Sequence, residues 1–232
     1  MIDKKIALIP SYKPTNTLID LVELLSKEQI EVVIVDDGSG QEYKEIIDKC
    51  KEYAHTISYE INQGKGHALK TGLKYIKENY KEPFIVVTMD CDGQHTIKDA
   101  KKIMNEVTQE DNILVIGKRL RNNNTPLRSK IGNAITRSIY RYTTGLDIYD
   151  TQSGLRAFSD KLTDYLISIE GNRFEYEMNV LLKCAKDKIR MKEVEITTIY
   201  IDKNSGSHFS VIKDSFIIYK TIFKFLVSER RK

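Results

Sequence analysis

The sequence predicts a single α/β domain built on a mostly parallel sheet. Short apolar runs of strand length alternate with segments in which apolar residues recur at helical spacing. Loops that contain acidic residues or glycine follow several of these runs. A repeated strand, loop and helix series implies parallel strands joined by right-handed crossovers, so we expect helices on both faces of the sheet.

The first half of the chain carries the clearest units of this series. Residues 5–10 and 31–35 are apolar, β-branched runs, and each precedes a segment with one apolar helical face. A weaker strand is predicted at residues 56–61, followed by a glycine-containing loop and a helix. Residues 84–89 form a further buried strand, and the strand at residues 113–116 follows the next helix.

The second half is less regular. Residues 119–126 predict a polar loop, and residues 128–144 predict a helix. Its inward face is expected to carry Ile131, Ile135, Ile139 and Tyr142. The later predicted elements are a loop at 147–154, a strand at 155–158, a helix at 174–186 and a strand at 193–201. No linker divides the chain, so one domain is expected over residues 1–210, with an amphipathic helix and basic tail over 211–232.

Two carboxylates directly follow the strand at residues 84–89. Asp90 and Asp92 flank Cys91, so both face the same way if the strand geometry persists, and Gly93 then allows a sharp turn. Oxygen ligands at this spacing suit Mg²⁺ or Mn²⁺, which usually keep waters and are shared with substrate phosphates. A strand that ends in a solvated turn is the alternative interpretation.

Ligands of open parallel sheets bind outside the carboxyl ends of the strands. We therefore expect Tyr12, Asp36, Asp37, Asp90 and Asp92 to converge on one crevice. A classical dinucleotide fold is disfavoured, because no G-x-G-x-x-G motif follows the first strand. The P-loop pattern is absent as well.

Composition excludes several other classes. The chain has 232 residues and a formal net charge of +4, and no nucleic-acid-binding signature accompanies this mild charge. Cys50, Cys91 and Cys184 lie far apart, which fits a reducing compartment and argues against a zinc site. Neither a run of about 18 apolar residues nor a signal peptide is present, so a cytoplasmic protein is expected.

Seven short motifs occur in order along the chain. They are P-S-Y at 10–12, V-D-D-G-S at 35–39, N-Q-G-K-G-H-A at 62–68, D-C-D-G-Q-H at 90–95, G-K-R at 117–119, S-G-L-R-A-F at 153–158 and F-E-Y-E at 174–177. On these residues the chain resembles the family-2 glycosyltransferases of the GT-A fold, and within them the dolichyl-phosphate mannose synthase-like branch. Each motif is weak alone, whereas the ordered set is specific.

The resemblance implies a donor site for a UDP- or GDP-linked sugar. Tyr12 would flank the base, Asp37 would bond its edge, and Mg²⁺ or Mn²⁺ would bridge the diphosphate. The implied nucleotide-sugar contacts are Pro10, Tyr12, Asp37, Lys65, Asp90, Cys91, Asp92, Gln94 and Lys203, of which Asp90, Asp92 and Gln94 would hold the metal. Two departures concern the base and the diphosphate: Lys13-Pro14 stands where relatives carry an acidic residue, and Lys203 with His208 forms a looser cationic pair.

The catalytic residues that the resemblance implies are Asp92, Asp150, Arg119 and Arg128. The two arginines occupy the positions of the family's lipid-phosphate arginines, and a guanidinium can bind phosphate in bidentate fashion. A polyprenyl phosphate acceptor is already anionic, so inverting transfer to it needs no general base. A saccharide hydroxyl would need one, and Asp150 is then favoured over Glu175 and Glu177. A non-catalytic nucleotide-sugar binding module is the alternative from another class.

The C-terminal segment bears on the partners of the protein. Residues 211–227 are rich in Phe, Ile and Tyr, yet Lys213, Lys220 and Lys224 fall within about 20° of one helical line. Such a helix can lie on an anionic membrane, which predicts peripheral contact with the inner face of the cytoplasmic membrane. Packing on the sheet or a homo-oligomer interface is the equally open alternative.

Overall fold

The computed structural model describes residues 4–107, 112–120 and 127–197, together with 221, 222 and 225. The strands of this part are β1 (Lys4–Ser11), β2 (Glu31–Asp36), β3 (His55–Ser58), β4 (Phe84–Thr88), β5 (Ile113–Arg119), β6 (Arg156–Ser159) and β7 (Arg190–Ile196). Its helices are α1 (Thr17–Lys27), α2 (Lys44–Cys50), α3 (Lys65–Asn79), α4 (Ile97–Met104), α5 (Leu127–Thr144), α6 (Thr163–Ser168) and α7 (Glu175–Lys186).

The described strands form one sheet in the order β3-β2-β1-β4-β6-β5-β7. β6 is antiparallel to both of its neighbours, β4 and β5, and the other pairs are parallel. The predicted class, a mostly parallel α/β sheet, is confirmed. The three strands β1, β2 and β4 run side by side in the same direction, so their carboxyl ends meet at one edge.

Successive residues of the central strands face opposite sides of the sheet, and each side has its own core. Ile6 and Leu8 of β1 pack with residues of α3, α6 and α7. Ala7 and Ile9 face the other way, toward the buried residues of α1, α2 and α4. This alternation is the period-two geometry of a strand that is buried on both faces. The prediction of helices on both faces is confirmed.

Several element boundaries differ from the predicted ones. β3 ends at Ser58, and α3 already begins at Lys65, within the segment predicted as a loop. β7 begins at Arg190, because it pairs with β5 along its whole length, from Ile113 opposite Arg190 to Arg119 opposite Ile196. The predicted continuation to residue 201 includes residues 198–201, which lie outside the described residues. The short helix α6 was not predicted.

The predicted inward face of α5 is confirmed for Ile139, which packs against the core, and is wrong for Ile135 and Tyr142. Ile135 is 43% exposed and Tyr142 is 74% exposed, whereas Tyr140 is fully buried. Asn133 faces inward instead: its Nδ2 donates to the Tyr149 carbonyl at 3.1 Å, and its Oδ1 accepts from the Thr151 hydroxyl at 3.0 Å. Apolar periodicity could not locate this face, because polar contacts with the 147–154 segment anchor the helix. The side chain of Ile131 lies outside the described residues.

Most of the predicted C-terminal helix also lies outside the described residues. Within it, Ile222 is fully buried in the core that includes α3 and α7, and Phe225 packs against that core. The amphipathic helix as a whole stays a prediction. None of the helices in the described ranges is long and apolar enough to cross a membrane.

Candidate active site

A crevice of about 190 Å³ opens where the carboxyl ends of β1, β2 and β4 meet. The segments that follow these strands line it, together with the start of α3 and the residues just before α7. Its lining residues are Pro10, Ser11, Tyr12, Asp37, Asn62, Gly64, Lys65, Asp90, Cys91, Asp92, Arg173 and Phe174. The structure thus brings together Pro10 and most of the other residues predicted for nucleotide-sugar binding.

Asp36 does not lie in this crevice, so that expectation is wrong. Its Oδ1 accepts hydrogen bonds from the backbone N–H and the hydroxyl of Ser39, at 3.1 and 2.5 Å. Asp36 borders a separate depression with residues of α2 and of the segment after β3. Neighbouring residues of an extended chain point to opposite sides, so only one of Asp36 and Asp37 can face the crevice.

Asp37 lines the crevice and also holds the loop that leads into α3. Its carboxylate accepts hydrogen bonds from Asn62 Nδ2 at 2.7 Å, from the backbone N–H of Gln63 at 2.8 Å and from that of Gly64 at 2.8 Å. These bonds link the end of β2 to the N-terminus of α3. The predicted contact of Asp37 with the edge of a base stays a prediction.

Lys65 projects from the first residue of α3 into a group of carboxylates. Its Nζ lies 2.7 Å from Asp90 Oδ1 and 3.0 Å from each carboxylate oxygen of Glu177, a residue of α7. Burial opposes the charge of Lys65, but the carboxylates of Asp90 and Glu177 outweigh it and raise the pKa of Lys65 above its usual value. The ammonium therefore stays charged at neutral pH.

Gly64 permits this placement of Lys65. Its φ is +103°, a conformation that side chains rarely adopt, and a Cβ there would lie 2.5 Å from the carbonyl oxygen of Asn172. A glycine is therefore required where the chain turns into α3. The turn brings the start of α3 against the segment that precedes α7.

Asp90 and Asp92 have different electrostatic environments. Burial would raise the pKa of Asp90, but Lys65 and His95 lower it well below its usual range, and His95 Nε2 lies 3.5 Å from Asp90 Oδ2. Burial and then the charge of Asp90 raise the pKa of Asp92, whose Oδ1 accepts a hydrogen bond from the backbone N–H of Gln94 at 3.0 Å. Asp92 thus carries negative charge that its surroundings compensate poorly.

This arrangement fits a divalent cation that is completed by water or substrate oxygens. In the described ranges, no group of three or more His, Cys, Asp or Glu side chains is placed to hold a metal. Mg²⁺ typically uses only one or two carboxylates together with phosphate oxygens and water, and Asp90 with Asp92 offers such a pair. Burial raises the pKa of Cys91 to about 11, so its thiol remains protonated and is a poor ligand. The predicted ligand role of Gln94 stays a prediction.

Arg119 and Asp150 do not line the crevice but pair with each other. Arg119 Nε donates to Asp150 Oδ2 at 2.7 Å, and Nη2 donates to Oδ1 at 3.1 Å. Asp150 is 3% exposed. Burial would raise its pKa, but Arg119 lowers the pKa of Asp150 below the usual value. This geometry weighs against the proton-acceptor role predicted for Asp150, because a fully bonded carboxylate with a lowered pKa is a weak base.

The other acceptor-side residues are placed as follows. Glu175 Oε1 accepts from the backbone N–H groups of Asn172 and Arg173, at 3.0 and 3.2 Å, just before α7. Glu177 pairs with Lys65. The side chain of Arg128, and all of Lys203 and His208, lie outside the described residues.

Sequence reasoning missed five lining residues as site residues: Ser11, Asn62, Gly64, Arg173 and Phe174. Phe174 was predicted as the first residue of a helix, yet the structure places it in the crevice, with its ring centroid 5.9 Å from Lys65 Nζ. Arg173 Nη1 lies 3.4 Å from Asn62 Oδ1 across the same opening. The F-E-Y-E motif was the available signal, because its Phe stands at the position where a helix begins.

A mostly parallel sheet with one antiparallel strand inserted beside its centre, and an acidic crevice outside the strand ends, is the architecture of GT-A glycosyltransferases. A solved structure of this class supports the assignment of the fold. Glucosyl-3-phosphoglycerate synthase from Mycobacterium tuberculosis, in complex with Mn²⁺, UDP-glucose and phosphoglyceric acid, aligns with a TM-score of 0.67. The alignment covers 97% of this chain and 80% of that one, at 17% identity.

The chain belongs to glycosyl transferase family 2, whose pattern matches residues 7–216. An uncharacterised protein of Methanocaldococcus jannaschii is 32% identical over 96% of this chain and 92% of its own length. A Methanococcus voltae protein named UDP-N-acetylglucosamine--dolichyl-phosphate N-acetylglucosaminyltransferase is 31% identical over 96% of both chains. The predicted family and the identification as a glycosyltransferase are confirmed.

Proposed function

We propose that this glycosyltransferase moves a sugar, with inversion and with a divalent metal, from a nucleoside diphosphate to a polyprenyl phosphate. The observation that carries the proposal is the pair Asp90 and Asp92 beside the ammonium of Lys65, in the crevice outside the ends of β1, β2 and β4. Opposite charges that lie side by side suit a diphosphate and its counterion. When bound, Mg²⁺ or Mn²⁺ stabilises the charge on the departing diphosphate.

The residues of the crevice divide the work of donor binding. Asp90 and Asp92 would hold the cation. Tyr12 and Phe174 would offer aromatic faces for the base, and Arg173 would offer a guanidinium for phosphate oxygens. The loop into α3, which the Asp37 carboxylate holds, also lines the crevice. Exclusion of water from such a site strengthens each of these charge interactions.

The acceptor is a phosphate in this proposal, because Asp150, the carboxylate favoured as a base, is bonded on both oxygens by Arg119. Glu177 pairs with Lys65, and Glu175 accepts backbone N–H groups with Oε1, while its Oε2 is buried without a hydrogen-bond partner. An anionic phosphate oxygen can attack the anomeric carbon without a base, so positioning suffices. The name of the Methanococcus voltae relative supports this choice of acceptor.

The acceptor end of the reaction is proposed to lie at the inner face of the membrane. Arg128 would receive the lipid phosphate, and the lysine-bearing segment 211–227 would contact the headgroups. Cosedimentation of the full chain with anionic vesicles tests the contact. Substitution of Lys213, Lys220 and Lys224 by Glu should release the protein, and binding that these changes leave intact contradicts the membrane contact.

The proposed transfer is tested with purified protein, undecaprenyl or dolichyl phosphate and a panel of UDP- and GDP-sugars. We expect a lipid-linked sugar in the presence of Mn²⁺ or Mg²⁺, loss of product with EDTA, and inverted configuration at the anomeric carbon by NMR. Free sugars and oligosaccharides serve as competing acceptors. A product formed only with a hydroxyl acceptor, or no lipid-linked product with any donor, contradicts the proposal.

A further inference from the structure

Lys65 occupies a position that a metal ion would also need. Its ammonium lies 2.7 Å from Asp90 Oδ1, and Asp90 is one of the two carboxylates proposed to hold the cation. The side chains of Lys65 and Glu177 are only 15% and 13% exposed, so water screens their interaction little. An ammonium and a divalent ion that share Asp90 Oδ1 repel each other, so each weakens the hold of the other on that carboxylate.

Glu177 is a second carboxylate partner for the Lys65 ammonium. Both of its carboxylate oxygens lie 3.0 Å from Lys65 Nζ. If Lys65 leaves Asp90, its charge remains paired, and the large cost of an unpaired buried charge is avoided. The flexible four-carbon side chain of lysine allows such a shift while α3 stays in place. His95 Nε2 lies 3.5 Å from the other oxygen of Asp90, so Lys65 is the nearer of the two basic side chains.

We propose that Lys65 competes with the metal for Asp90 and that the donor diphosphate relieves this competition by drawing the ammonium toward its own oxygens. Metal and nucleotide then bind cooperatively, and the metal alone binds weakly. This inference rests on the proposed function, because it assumes a metal-bound diphosphate in the crevice. Coupling between two ligands is reciprocal, so each ligand tightens the other by the same factor.

Titration of the full chain with Mn²⁺, with and without saturating UDP or GDP, tests the proposal by calorimetry or by the EPR signal of free Mn²⁺. In Lys65→Met, Mn²⁺ alone should bind about 10-fold more tightly, within the usual range of such couplings. With nucleotide bound, the same variant should bind Mn²⁺ no more tightly than the wild-type protein, because Lys65 has then already left Asp90.

Two further variants define the cause. Glu177→Gln should weaken the binding of Mn²⁺ alone, since Lys65 then depends on Asp90, and this variant keeps the test available if Lys65→Met does not fold. Lys70→Met is the matched control on the same helix: Lys70 bonds Asn172 Oδ1 at 3.0 Å, so its loss should leave Mn²⁺ binding unchanged. Circular dichroism and thermal unfolding verify that each variant is folded.

Three outcomes overturn the inference. Unchanged binding of Mn²⁺ alone in Lys65→Met would show that no competition exists. Equal tightening with and without nucleotide would assign the effect to simple charge repulsion. Tighter binding of Mn²⁺ alone in Glu177→Gln would contradict the role of Glu177 as the partner that keeps Lys65 paired when it leaves Asp90. Sugar transfer measured on the same wild-type preparation separates these results from a failure of the proposed function, which absence of any transfer would indicate.

Discussion

Two ion clusters flank the central strands, and they differ in how completely their charges are matched. At the crevice, Asp90 and Glu177 both pair with Lys65, and the neighbouring Asp92 keeps a raised pKa. Beyond β5, Asp150 is bonded on both oxygens by the guanidinium of Arg119. The first cluster carries more negative than positive charge, whereas the second is a closed pair.

This difference separates a site that can bind a cation from a contact that holds the fold. A carboxylate with satisfied hydrogen bonds and a matched charge gains little from a further partner. Glu193 lies beside this pair and is satisfied by hydrogen bonds and not by a cation, because its carboxylate accepts the backbone N–H groups of Tyr149 and Asp150, both at 3.0 Å. The excess charge of the first cluster is costly to the folded chain and useful only when a ligand arrives.

The largest expected effect tests whether the crevice cluster is the catalytic one. Asp92→Asn should lower kcat/KM for lipid-linked product about 1,000-fold, equivalent to about 4 kcal/mol of transition-state stabilisation, because a ligand of the metal is lost. Asp164→Asn is the control, since Asp164 is 72% exposed and pairs with Lys77 on the surface. A kcat/KM of Asp92→Asn within 10-fold of the wild-type value would contradict the assignment of the crevice cluster as the catalytic one.

The second prediction concerns the closed pair. Asp150→Asn should lower the free energy of unfolding by about 2 kcal/mol, because a charge-assisted pair is broken while the guanidinium stays partly buried. Asp147→Asn is a matched control: Arg137 bonds Asp147 in the same bidentate way, at 2.7 and 2.6 Å, but that pair is exposed, so a smaller loss is expected. Urea denaturation measures both.

The pH dependence of this loss has a defined sign. Since Arg119 lowers the pKa of Asp150, the carboxylate stabilises the fold above the unfolded-state pKa of about 3.9, and this contribution disappears as pH falls below it. The difference in unfolding free energy between the wild type and Asp150→Asn should therefore be full at pH 7 and should close below about pH 4. A pH-independent difference would show that the ion pair is not its cause.

The third prediction displaces the Asp90 carboxylate of the crevice cluster by adding a methyl group at Gly154. A Cβ at Gly154 would lie 2.6 and 2.8 Å from the two carboxylate oxygens of Asp90, so Gly154→Ala should push that carboxylate aside. We expect Mn²⁺ binding and kcat/KM to fall about 10-fold, with less than about 1 kcal/mol lost in stability, because a side-chain terminus and not backbone must move. Ser153→Ala is the control, since it removes a neighbouring buried hydroxyl without approaching Asp90. A large loss of stability with normal Mn²⁺ affinity would contradict this account.

The sequence predicted the crevice better than the closed pair, for a physical reason. Asp90, Asp92 and Tyr12 follow strand ends, and parallel strands bring those ends together whatever the loops do. The bond between Arg119 and Asp150 depends instead on how the segment after α5 packs beside β5. Periodicity carries no information on such a contact, so both residues were predicted as independent catalytic groups.

The pairing of Lys65 with Glu177 is another contact that the sequence pattern could not predict. The two residues are 112 positions apart, and they meet because α3 and α7 pack on the same face of the sheet. Helical spacing could place Glu177 only on a solvated face or among candidate bases. The inward-facing side chain of Asn133 on α5 could not be predicted either, because a polar contact and not a stripe of apolar residues orients the helix.

The smallest expected effect sharpens the comparison most directly, because the two clusters should respond to the same change with opposite sign. The raised pKa of Asp92 means that its carboxylate favours the fold only when protonated, so at neutral pH its charge is a cost. Asp92→Asn should therefore raise the free energy of unfolding by about 0.5 kcal/mol in EDTA, whereas Asp150→Asn lowers it.

The gain in the free energy of unfolding should shrink as pH falls and Asp92 takes up its proton. It should reverse in Mn²⁺ and nucleotide, because ligand binding stabilises the wild-type fold and not the variant. A variant less stable than the wild type in EDTA at pH 7 would show that Asp92, like Asp150, belongs to the fold and not to a cation site.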